Sequence, residues 1–307
     1  MAVSSARIAS RRLSNGVFVG FCYFVTAVAI LFLAAVLWTL LQKGLDGMSV
    51  NIFTMDTPAA GSPGGLLNAI IGSILLCVLG MAIAVFVGIL AGTWLAEYAG
   101  DSRYGSTVRF INDVLLSAPS ILIGLFVWYI LVDDVVGKFL TAHVPPAGVV
   151  WHGLFGGTFG HFSGVAGAIA LALLAVPVIA RTSEDVLRLQ PTSLRESGIA
   201  LGTPFWTVVR KILWRAGGSG ILTGALLAFS RISGETAPLL FTSLSNQFRS
   251  LDMTHEMASL PVVMFNDALS AYDDLQRLAW AAALIVSVSV LGVIVVARLL
   301  SREQKSP

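Results

Sequence analysis

Arg231 and Glu235 are two full charges inside Ile221–Leu244, a stretch that otherwise reads as one membrane-spanning helix. A charged side chain at the bilayer centre costs roughly 2.5–3.5 kcal/mol on insertion scales. A helix bearing two of them is expected to turn both toward protein or water rather than lipid. On an unbroken helix, the spacing of four residues puts both side chains on one face, about 6 Å apart along the axis. Arginine keeps its charge and presents a planar fork suited to carboxylates and phosphates. The pair fits contact with an anion, and it equally fits a structural ion pair that locks helices together. The residues alone leave the two readings open.

The elements that must hold these charges are set by composition. Of the 307 residues, 56% are hydrophobic and only 12% charged, with a mean hydropathy of +0.84. Soluble domains carry about 25% charged residues, so the chain is expected to be an all-α, polytopic membrane protein. Six apolar runs are long enough to cross about 30 Å of hydrocarbon. They are placed at Val17–Leu41, Leu66–Leu95, Ile111–Val132, Gly164–Ala180, Ile221–Leu244 and Leu278–Leu300. Arg7, Arg11 and Arg12 precede the first run, but its length exceeds the roughly 7–15 residues of a signal-peptide core, so a retained helix is expected. Cys22 and Cys77 both fall within spans and read as small buried apolar residues without a disulfide.

Lys and Arg divide 14 to 4 between the two sides, with Arg231 left inside. The positive-inside rule then places both termini in the cytoplasm, and the net charge of +2 is a topological bias rather than a nucleic-acid footprint. Residues 1–16 and 301–307 are read as cytoplasmic ends and 17–300 as a single transmembrane domain. The outer segment Asp133–Ser163 is glycine-rich and reads as a polar loop. Its His143, His152 and His161 lack short zinc-like spacing, and Gly153–Gly160 follows no strand, which weighs against a nucleotide site.

The inner segment 181–219 carries local structural signals. Ser193-Leu194-Arg195-Glu196 has the form of a capping box, and Gly202 and Pro204 supply a stop. A two-turn helix is therefore expected over Leu194–Leu201. A second helix is expected from Thr203 as N-cap, with Pro204 at its first position. The stripe Phe205, Val208, Val209, Ile212 and Leu213, with basic Arg210, Lys211 and Arg215, suits a helix lying on the inner membrane surface.

These residues resemble a known family. Glu196-Ser197-Gly198-x3-Gly202 is similar to the E-A-A-x3-G loop of ABC importer permeases, with Ser and Gly in place of two alanines. Arg181-Thr182-x-Glu184, Gln190-Pro191 and Ala200-Leu201-Gly202-Thr203-Pro204-x-Trp206 look like its phosphate-import branch. More specific are Arg231-Ile232-x-Gly234-Glu235-Thr236-Ala237-Pro238 and Leu244-Ser245-Asn246-Gln247-Phe248, which resemble PstA-type permeases. Ala96-Glu97-Tyr98-Ala99 and Ala118-Pro119-Ser120-Ile121 also fit. One departure is plain: the family loop ends I-x-L-P, whereas this chain has Ile212-Leu213-Trp214-Arg215.

The resemblance implies a type I ABC importer permease, a non-catalytic subunit in the bacterial inner membrane. Its implied partners are a homologous permease (PstC type), an ATPase dimer (PstB type) and an extracytoplasmic phosphate-binding protein (PstS type). Cofactors are expected to be absent from this chain, with ATP and Mg held by the ATPase; no G-x-x-x-x-G-K-[ST] occurs here. Arg231 would contact phosphate and Glu235 would offset its charge in the empty path. Ser230, Ser233 and Thr236 would add hydroxyls, while Gly234 and Pro238 loosen the helix. Pro119 and Ser120 are further path candidates. Ser193, Arg195, Glu196, Gly202 and Thr203 would shape the coupling helix that meets the ATPase. The rival readings are an ABC permease for another oxyanion and, from a different class, an ion-coupled secondary transporter.

Overall fold

The computed structural model describes residues 5–155 and 158–303. Parts of the expected terminal segments lie outside the described residues, as do Gly156, Gly157 and the side chains of Arg7, His152, Arg302 and Lys305. Helices are numbered α1 (Ser5–Gly47), α2 (Leu67–Glu97), α3 (Arg103–Ser117), α4 (Ser120–Val127), α5 (Val135–His143), α6 (Pro145–Phe155) and α7 (Gly164–Arg188). They continue as α8 (Thr192–Ala200), α9 (Phe205–Val208), α10 (Trp214–Ile232), α11 (Ala237–Thr242), α12 (Leu260–Ala268) and α13 (Asp273–Glu303). Among the described residues, six stretches are long and apolar enough to cross a membrane: Arg11–Gly47, Leu67–Glu97, Ser120–His143, Gly164–Arg188, Phe205–Ile232 and Asp273–Leu299. With no water in the hydrocarbon, each segment satisfies its backbone internally, which is why they are helices. The chain is an integral membrane protein.

α7 is the central pillar: 67% of its most apolar window is buried, against 22% for α2 and none for α1. Its main neighbour is α2, whose buried small residues Gly80, Gly88 and Gly92 lie against it. Small residues let helix backbones approach closely in a medium where the hydrophobic effect cannot drive association. Of these three Gly92 is the tightest, because an added Cβ would lie 2.5 Å from the Ala180 carbonyl oxygen. α10 and α11 pack on the other side of α7, and one core cluster joins Ile123 of α4, Ile179 of α7, Ile232 of α10 and Leu239 of α11. From Leu13 to Leu37 α1 is exposed and largely apolar, as a helix in contact with lipid is, and its C-terminal end packs on α13 at Gly44 and Gly47.

The structure differs from the sequence reading at several element bounds. The third span begins at Ser120 rather than Ile111, because Pro119 drives Ala118 into an extended conformation and separates α3 as its own helix. The expected outer loop Asp133–Ser163 contains α5 and α6, the first capped by Asp134, whose Oδ1 accepts from Gly137 N at 3.1 Å. The fourth span runs on to Arg188, so the inner segment begins in helix. The expected surface helix after Pro204 is instead α9, which passes through a π-helical turn (Val209–Leu213) directly into α10. Its apolar stripe packs on Leu187 and Ile221, not on the membrane surface.

Candidate functional site

Arg231 sits in the last turn of α10, where a cation complements the helix's negative end. The helix stops one residue later. Ser233 and Gly234 form a turn, Glu235 N donates to Ile232 O at 3.2 Å, and Pro238 then opens α11. This corrects the one-face expectation: Glu235 lies beyond the end of the helix that carries Arg231. The physical reason is local, since Pro238 lacks an N–H and cannot extend a helix through Gly234. Both side chains are half-buried, and among the described residues neither forms a hydrogen bond or ion pair with the other.

The flanking hydroxyls are engaged by backbone. Ser230 Oγ donates to Leu227 O at 2.9 Å and Ser233 Oγ to Phe229 O at 2.7 Å. Thr236 Oγ1 reaches Pro261 O at 3.4 Å. A hydroxyl has one proton, so these groups would have to turn before donating to an anion. Arg231, with five N–H donors and no protein acceptor among the described residues, needs no such change.

A second break lies against the first. Pro119 caps α4 and Ser120 begins it. α4 crosses α11 where Gly124 faces Pro238, so close that an added Cβ would lie 2.6 Å from Pro238 Cα. Ser120 is one turn before that crossing on α4, and Thr236 is two residues before it on the other chain segment. The tertiary structure therefore brings Pro119, Ser120, Ser233, Glu235 and Thr236 to neighbouring breaks. Irregular backbone at membrane depth is tolerated where it is buried in protein or lines a polar cavity. A cavity of 740 Å³ lies elsewhere: it is an apolar groove lined by Cys77, Met81, Val85, Phe229 and Val293. Such walls offer an anion nothing to replace its hydration, so the groove is not an ion site.

At the opposite, basic end of the bundle, α8 starts from Pro191 rather than from the expected Ser193. Pro191 already holds φ at −57°, so the helix begins at Thr192 and Ser193 lies within it, making no cap bond. The capping box therefore does not form. The stop does: Gly202 has φ +74°, the left-handed region glycine favours. Pro204, not Thr203, caps α9. Ser193, Glu196, Ile199 and Leu201 are exposed, with Leu201 83% accessible. Gly198 is buried, and an added Cβ would meet Val208 Cγ2 at 2.7 Å.

Arg195 points inward. Its Nε and Nη2 donate to Glu97 Oε2 and Oε1 at 2.8 and 2.6 Å, a bidentate pair in which Glu97 is 2% exposed. This bond holds the Arg195 pKa above its ordinary value, outweighing the opposing effect of burial. Close by, Glu184 (3% exposed) accepts from Arg109 Nε at 2.6 Å and pairs with Arg188 at 3.1 Å. Glu97, Arg109, Glu184 and Arg188 are not among the site residues read from sequence. Charges at the ends of apolar spans look like ordinary solvated ends, and the sequence signal at Glu97 and Glu184 is confined to the motif fragments that contain them. Of the outer histidines, His161 Nε2 bonds Thr254 O at 2.7 Å and His143 stacks on Phe139, each in a separate local setting.

Six spans with two apposed helix breaks and a helical projection at the basic end define a transport permease rather than an enzyme core. The fold is shared with the inward-facing MetNI methionine ABC transporter, at TM-score 0.61 and 16% identity over 84% of this chain and all of that one. Residues 84–306 match the family described as binding-protein-dependent transport system inner membrane component. The phosphate transport system permease protein PstA of Haemophilus influenzae is 44% identical over 96% of both chains. That of Yersinia pestis is 47% identical over 88% of this chain and 84% of its own. The probable counterpart in Methanocaldococcus jannaschii is 29% identical over 93% and 92%. The chain belongs to the PstA family of phosphate transport system permease proteins, which are non-catalytic membrane components of ABC transporters.

Proposed function

We propose that this chain forms half of the translocation path of an ATP-driven importer of inorganic phosphate. The observation that carries the reading is the 44% identity with a PstA permease over 96% of both chains, joined to a cation at an interrupted span. Arg231 would hold phosphate through charge-assisted, often bidentate bonds. Glu235 would offset that cation in the empty path and keep phosphate from binding too tightly to leave. Ser233, Thr236 and Ser120 would donate hydroxyls after turning from their backbone partners, and Pro119 would keep the neighbouring backbone open.

The partners in this reading are a homologous permease of PstC type, two PstB-type ATPase subunits and a PstS-type extracytoplasmic phosphate-binding protein. ATP and Mg would bind only in the ATPase. The distribution of Lys and Arg supports cytoplasmic termini in a bacterial inner membrane. α8 and the turn at Gly202 and Thr203, within segment 181–219, would dock the ATPase through Ser193, Glu196 and the exposed Leu201, with Arg195 fixing the helix from behind.

The test is uptake of labelled phosphate by cells carrying the whole importer. Arg231→Ala abolishes uptake while the complex still assembles in the membrane. Uptake at the wild-type rate in that variant would sink the role given to Arg231. Loss of labelled uptake to competing sulfate or molybdate, in place of phosphate, would instead move the substrate to another oxyanion.

A further inference from the structure

α8 is joined to α7 by the three-residue link Leu189–Pro191, and on its other side the chain turns at Gly202 into α9, whose π-helical turn runs on into α10. Leu194 and Gly198 pack on that α9 segment. Arg195 adds a further tie. Besides Glu97 on α2, its Nη1 donates to Gln190 O and its Nη2 to Leu187 O, both at 2.8 Å. Leu187 O also accepts from Gln190 N at 3.1 Å, so one guanidinium ties the C-terminal end of α7, the link after it and the end of α2 to α8.

A second node repeats the device. Arg109 of α3 bonds Glu184 of α7, and its Nη2 donates to Leu95 O at 2.9 Å and Gly100 O at 3.0 Å, at the end of α2. Buried ion pairs contribute little net stability compared with apolar side chains of the same shape. Bidentate pairing does impose direction, because both bonds form only in one mutual orientation. With α2 and α7 in backbone contact at Gly92, α8 cannot tilt without carrying both helices. α7 in turn packs on α10 and α11, which flank the break at Ser233–Thr236.

We propose that Glu97 and Arg195 form a latch of positioning residues. Through it, force applied to α8 reaches the path by way of α2 and α7, and not only along the chain through the Gly202 turn to α10. This rests on the reading of α8 as the ATPase docking helix. It assigns Arg195 an inward role, distinct from contact with the partner.

The experiment uses the whole importer in lipid nanodiscs, wild type against Glu97→Gln. Couplings between sites commonly amount to about 5–150-fold, so phosphate moved per ATP is expected to fall about tenfold while ATP hydrolysis continues. In a background of Cys22→Ser and Cys77→Ser, a short bis-maleimide joining Glu97→Cys to Arg195→Cys restores the ratio. A fold-stabilising role alone would instead lower assembly and hydrolysis together and leave the ratio unchanged, which overturns the latch. Hydrogen exchange provides a readout independent of substrate. Adding ATP changes protection in 84–97 and 175–188 of the wild type but not of Glu97→Gln. The same ATP response in both proteins, or none in the wild type, refutes the latch. A wild-type complex that shows the exchange response yet moves no phosphate refutes only the substrate assignment.

Discussion

Replacing Glu184 by alanine isolates the cost of one buried counter-charge. Glu184 is 3% exposed and serves two cations, Arg109 at 17% exposure and Arg188 at 44%. Arg188 can swing into solvent, so its share is at most about 1 kcal/mol. Arg109 cannot. It keeps two carbonyl acceptors, Leu95 O and Gly100 O, but loses its ionic partner. Removing one member of a buried pair costs about 3–5 kcal/mol, because the other charge stays buried. The retained carbonyl bonds and partial exposure of Arg109 place the expected loss near the lower bound, at about 3 kcal/mol. Replacing both Arg109 and Glu184 by leucine removes the stranded charge and should recover about 2 kcal/mol of that loss. The assay is equilibrium unfolding of the purified full chain in mixed micelles, followed by circular dichroism for wild type, Glu184→Ala and the double variant. A Glu184→Ala loss under about 1 kcal/mol, or a double variant no more stable than Glu184→Ala, would refute this account of the node.

Two further perturbations follow from the same geometry. Gly198→Ala, which restores the alanine usual in permease loops, presses a methyl onto Val208 and should cost about 1–3 kcal/mol; faster hydrogen exchange over 192–208 checks it. Asp267, in α12 outside the six spans, has a buried Oδ2 without a partner. Burial, aided by Asp274, pushes its carboxyl up from 3.8 to about 6. The folded chain therefore holds a proton that the unfolded chain releases between these values, and stability falls as pH rises through that window. Asp267→Asn should be more stable than wild type above pH 6 and converge with it at low pH, as read by thermal unfolding across that range. Equal pH slopes for the two proteins would contradict this.

Much of the architecture was readable because lipid leaves few choices. All six spans overlap their expected positions, and the errors fall at Pro119, Pro191, Pro204 and Pro238, where a ring fixes φ and withholds a donor. The break between α10 and α11 was announced by Gly234 and Pro238, yet the charges flanking it were first placed on one continuous face. Hydrophobic runs carry no mark of where a helix stops within them; backbone hydrogen bonding decides that. The capping box at Ser193 was a valid local signal overridden by Pro191 two residues earlier.

Taken alone, the sequence determined the class and the spans, and it set the expectations of sidedness from Lys and Arg and of a charge at Arg231 within an apolar run. These properties follow from transfer free energies and local propensities, which act residue by residue. Only the tertiary structure decided that Glu97 meets Arg195, 98 positions away, that Glu184 serves two arginines, and that the breaks at Pro119 and Gly234 adjoin at the Gly124–Pro238 crossing. Those pairings depend on how α2 and α7 close on each other through their small residues. That approach is set by summed side-chain volumes across two helices, which no local pattern records.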